Sequence, residues 1–122
     1  MVESPWFRAQ YYQTHGSLHL LLGRYDVALQ SLATAMHNYE ETRDRGLIAL
    51  TAHIYGQALI LNGRISAAIS TFEEALEIWE LVDNLAGEGH CYYDLAHAYG
   101  ASGDCARALH YLNASLDCYE KA

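Results

Sequence analysis

The stretch 62-NGRISAAISTFEEALEIWE-80 decides how this chain folds, because the chain spells the same phrase three times. Residues 22–40 read LGRYDVALQSLATAMHNYE, and residues 102–120 read SGDCARALHYLNASLDCYE. Each copy has glycine as its second residue and closes on an aromatic residue followed by glutamate. The offset is 40 residues, and no insertion or deletion is needed to hold the register. A fixed self-similar period of this length marks stacked supersecondary units. Cut at that period, the chain is a single domain, 1–122, made of units 5–44, 45–84 and a shorter 85–122.

The agreeing columns are Gly23/Gly63/Gly103, Ala28/Ala68/Ala108, Leu32/Phe72/Leu112, Ala35/Ala75/Ser115 and Tyr39/Trp79/Tyr119, with Gly16/Gly56/Ala96 upstream. Within the middle copy, Ile65, Ala68, Ile69, Phe72, Ala75, Leu76 and Trp79 recur at i, i+3, i+4 spacing, while Glu73, Glu74, Glu77 and Glu80 take the other side. That is one face of an amphipathic helix. Before it, Ile48, Ala52, Tyr55, Gly56 and Leu59 make a narrower stripe on a second helix. The glycine between them accepts a left-handed conformation without steric cost and ends the first helix. With so short a connection, the two helices lie antiparallel. Ser4 followed by Pro5 is a capping residue and a first-turn proline. The small columns let the two backbones approach where the helices cross. The expected fold is all-α, with six helices in three helix-turn-helix pairs.

Composition narrows the partners. Apolar residues make up 52% and Pro5 is the only proline, which suits a helical globular domain. The net charge is −8, and the basic residues are Arg8, Arg24, Arg43, Arg45, Arg64, Arg107 and Lys121, scattered along the chain. Nucleic acid and anionic membranes need a clustered basic face, so neither is expected as a partner. No run approaches the ~20 apolar residues of a membrane span. Glu3 and Pro5 stand where a secretory leader would be basic, and a cytoplasmic location is expected. Cys91, Cys105 and Cys118 form no CxxC pair and match no zinc-module spacing, so they are expected to be small buried or half-buried thiols. No glycine-rich phosphate loop, GxSxG, HExxH or calcium loop occurs, and neither catalysis nor a cofactor is expected.

The column set resembles the tetratricopeptide repeat. The resemblance is carried by YDLAHAY (residues 93–99), GRYDVALQSLATAM (23–36) and GRISAAISTFEEAL (63–76), and it covers essentially the whole chain. It implies an α-α superhelix, in which the first helices line a concave wall and the second helices the convex one. Two departures matter. The period is 40 instead of the family's ~34, and Glu40, Glu80 and Glu120 stand where the family closes its second helix with proline. The second helix is therefore expected to run on by more than a turn. This longer form is similar to repeats of bacterial signalling and regulatory proteins, so a sensing or docking segment of such a regulator is the implied role. His15 and His19 replace large apolar residues in the first unit and are expected to be core histidines with hydrogen-bond partners.

The family's concave positions fall here on Gln10, Gln13 and Ser17, then Leu50, His53 and Gln57, then His90, Tyr93 and His97, with Asp94 beside them. The resemblance implies that this wall binds a peptide or a helix of a protein partner. Amide and imidazole groups can hydrogen-bond such a partner without demanding one sign of charge. Members that grip a carboxyl terminus use lysine, arginine and asparagine; the matching positions are Gln13, Ser17, Ile54, His90 and Asp94, none a permanent cation. His90, Asp94 and His97 share a helical face, with His53 a candidate opposite. The pattern lacks a tight His-x3-His pair with a third ligand, so no metal is expected. The ends carry apolar residues for which the sequence offers no cover: Trp6, Phe7 and Tyr11 at one, and Leu109, Leu112, Leu116 and Tyr119 at the other. The expectation is a fragment of a longer array that also self-associates, as a homodimer, through at least one end. A self-assembling structural unit is the alternative function.

Overall fold

The computed structural model describes residues 4–122. Six helices follow in order: α1 (Pro5–Leu21), α2 (Tyr25–Thr42), α3 (Arg45–Leu61), α4 (Ile65–Leu81), α5 (Leu85–Ser102) and α6 (Cys105–Lys121). Among the described residues there is no strand. No helix among those residues is long and apolar enough to cross a membrane.

Two kinds of turn alternate, and each has its own chemistry. Within a pair, Gly23, Gly63 and Gly103 take φ of +77°, +77° and +90°. The residue after each glycine then donates its N–H five residues back, Arg24 to His19, Arg64 to Leu59 and Asp104 to Tyr99, which closes the helix end. Between pairs the left-handed residue is Arg43 (φ 61°) or Asp83 (φ 53°), where no glycine advertises the turn. What marks these boundaries in sequence is the cap that follows. Ser4, Asp44 and Asn84, again 40 apart, accept from the N–H of Phe7, Leu47 and Gly87 and start α1, α3 and α5. Asp104 does the same for Arg107 at the start of α6.

The second helices stop sooner than expected. α2, α4 and α6 end only one or two residues past Glu40, Glu80 and Glu120. The longer period is instead spread over helices of 17 or 18 residues in both positions of each pair.

Each helix packs on the ones before and after it. Gly16 and Gly56 sit at the expected crossings: a methyl group on Gly56 would lie 2.2 Å from the Phe72 ring, and one on Gly16 2.7 Å from Leu32. The main core gathers Leu29, Leu32, Ala58, Leu59, Ala68, Phe72, Leu95 and Ala98. A second cluster holds Ala49, Ala52, Ala75, Trp79 and Cys91. Ala49, Thr51 and Ala58 are buried in α3 although they lie off the stripe read from the sequence. An inner first helix is covered by the second helix on either side of it, so it is buried on two faces and not one. Of the thiols, Cys91 is buried and Cys118 half-buried as expected, but Cys105 is exposed. It begins α6, the last helix.

Candidate functional site

The first helices form a common wall. α1 touches α3 and α3 touches α5, whereas among the described residues α2, α4 and α6 do not meet one another. The stack therefore closes on the side of α1, α3 and α5 and opens on the other.

Along this wall the sequence-derived positions divide into two groups. Gln10, Leu50, Tyr93 and His97 are exposed, Leu50 at 48% and Tyr93 at 55%. Gln13, Ser17, His53, Gln57 and His90 are half-buried. Gln13 is committed to the fold: its Oε1 accepts from the Tyr39 hydroxyl at 2.7 Å and lies 3.5 Å from the Thr51 hydroxyl, joining α1, α2 and α3. Burial raises the Tyr39 pKa, with the Asp44 carboxylate adding to the effect, so this hydroxyl keeps its proton and remains a donor. Tyrosine in place of tryptophan in that aromatic column was the only sequence signal for the contact.

Asp94 is not beside the wall but buried in it. His53 Nδ1 donates to Asp94 Oδ2 at 2.7 Å, from α3 to α5. The His53 and His90 rings stand 4.2 Å apart. His53, His90 and Asp94 thus come together, while His97 stays outside the cluster. A cavity of about 10 Å³ opens among them, with Leu50, Trp79 and Cys91 also on its walls. Burial, and then the Asp94, Glu80 and Glu88 carboxylates, push the Cys91 thiol up to about 12, so it is protonated and unreactive.

In the first pair, His15 behaves as expected, its Nδ1 lying 2.7 Å from the Ser31 hydroxyl. His19 does not: its Nδ1 is shielded from water and finds no partner. Desolvation lowers its pKa, with His15 and Arg24 adding to the effect, which favours the neutral ring.

A comparison with known families matches residues 47–121 to the tetratricopeptide repeat. The chain belongs to the tetratricopeptide repeat family. Among solved structures, it is similar to the crystal structure of the TPR domain of Arabidopsis FLU. The TM-score is 0.84 at 18% identity, over 94% of this chain and 97% of that one. At that identity the likeness speaks for the fold alone: an all-α helical solenoid. No curated protein matches the sequence. Family membership makes this chain a protein-interaction scaffold in the general sense.

Proposed function

We propose that the chain is a non-catalytic interaction module that takes a peptide or a helix of a partner protein along the wall of α1, α3 and α5. One observation carries this reading: Leu50 and Tyr93 stand exposed on a preformed wall whose helices also carry the uncommitted polar groups of Gln10 and His97. An apolar side chain and an aromatic ring beside polar groups are what a short segment needs for anchoring and for backbone hydrogen bonds. Because the wall is held by packed helices, little ordering is lost on binding. No arginine or lysine is among the wall positions, so the partner segment is not selected by a terminal carboxylate. The 40-residue period favours a docking segment within a signalling or regulatory protein.

Selection from a displayed peptide library against the whole chain tests this reading. Peptides that bind should lose about ten-fold or more in affinity to the Leu50→Glu and Tyr93→Ala variants, with far-ultraviolet circular dichroism unchanged. A library that yields no binder, or binders indifferent to both substitutions, would overturn it.

A second reading has its own observation. Leu109, Leu112, Leu116 and Tyr119 on α6, and Trp6, Phe7 and Tyr11 on α1, are all exposed. Self-association through α6 would cover one of these faces. Light scattering should then give more than one protomer mass for the parent chain and one for Leu112→Glu; a monomeric parent removes the reading.

A further inference from the structure

We propose that His53, His90 and Asp94 form a zinc site that clamps the second repeat to the third. His90 and Asp94 are four residues apart on α5 and so lie on one helical face. His53 reaches them from α3. One ligand atom from each residue lies within 4.8 Å of the others, around the small cavity already described. A cavity of that size accepts one water-sized sphere. The missing His-x3-His pair of the sequence reading is present in altered form, as His-x3-Asp, and the third ligand comes from the neighbouring repeat.

The fold does not require these residues. Forty residues earlier, at the joint between the first and second repeats, the equivalent positions are Gln13, Leu50 and Ile54. That joint packs the same helices with no ionisable group at any of the three. At the second joint the Asp94 carboxylate is buried, and its hydrogen-bond partner is a histidine, not an arginine or lysine. A buried carboxylate beside two adjacent imidazoles is an environment that a divalent cation relieves. Two nitrogens and one oxygen suit zinc with a fourth position open to water. The ion takes the place of the proton between His53 Nδ1 and Asp94 Oδ2. That proton passes through solvent to Nε2, giving the tautomer that an Nδ1-bound imidazole needs. Tetrahedral bonds of about 2.0–2.1 Å require these two atoms to part slightly from 2.7 Å.

The test is a titration of zinc chloride into the full chain carrying Cys105→Ser and Cys118→Ser, which removes the more accessible thiols. About one equivalent should bind, and the thermal midpoint should rise with free zinc by mass action. His90→Gln should weaken binding about ten-fold or more, since a lost ligand costs at least as much as a lost outer partner. His97→Gln should leave it unchanged. On the unsubstituted site, cobalt(II) should give tetrahedral absorption without a sulfur charge-transfer band, a readout that holds even where a ligand variant folds poorly. No saturable uptake, uptake that survives His90→Gln, or an octahedral cobalt spectrum would overturn the proposal.

Discussion

The middle of the stack and its end solve one sequence pattern in opposite ways. Leu32, Phe72 and Leu112 occupy the same column, yet Leu32 and Phe72 are 0% and 1% exposed and Leu112 is 45% exposed. Tyr39 and Trp79 are buried where Tyr119 is exposed. The side chains are alike; what differs is the helix that follows. α3 covers α2 and α5 covers α4, while nothing described covers α6. In a solenoid each unit's stability is borrowed from its neighbours, so identical residues contribute unequally along the array.

The far end makes the same point differently. At the positions of Thr51 and Cys91 in α3 and α5, α1 carries Tyr11; at those of Ala58 and Ala98 it carries Leu18. The inner helices use small residues there because a preceding helix presses on them, and both members of each inner pair are buried. Tyr11 and Leu18 are exposed. A copy of α6 cannot seat on α1 as α2 seats on α3 without displacing these bulky groups. A head-to-tail filament repeating the inner joint is therefore disfavoured.

The largest effect that probes this contrast is a pair of truncations. Phe72→Ala should cost about 3–5 kcal/mol in urea denaturation, as buried aromatics do. Leu112→Ala, in the same column, should cost about 1 kcal/mol or less. Equal losses would show that α6 is covered in solution. A smaller contrast uses glycine. A methyl group at Gly87 would lie 2.3 Å from the Trp79 ring system, so Gly87→Ala should destabilise by about 1–3 kcal/mol. At Gly100 the nearest atom is the Ala108 Cβ at 3.9 Å, so Gly100→Ala should stabilise by about 0.5–1 kcal/mol through helix propensity alone. The same denaturation experiment reads both signs. The smallest effect leaves stability untouched. Cys105 at the exposed end should take up maleimide in the native chain at neutral pH, while Cys91, buried and pushed up to about 12, should label only on unfolding. Mass spectrometry of the labelled peptides decides it, and fast native labelling of Cys91 would mean that the joint between α4 and α5 opens readily.

Much of the fold could be read from the chain because a repeat states its own boundaries. The glycine turns, the stripe of α4 and the small residues at the helix crossings follow from periodicity and from what a missing Cβ permits. The inner first helices were harder. α3 is buried on two faces, so its apolar residues go most of the way around and no single stripe stands out. The turns at Arg43 and Asp83 were hidden as well, since non-glycine residues hold the left-handed conformation there and only the cap one residue later shows the break.

The sequence by itself determined that this chain is three α-helical pairs in fixed register, because hydrophobic spacing and turn residues act over a few positions. Which polar residues are free to meet a partner was decided only by the tertiary structure. From the sequence Gln13 reads as a wall residue and Asp94 as a neighbour of the wall residues, yet one is committed to Tyr39 and the other is buried against His53. Such pairings join residues 26 and 41 positions apart, and their geometry exists only once neighbouring repeats are packed.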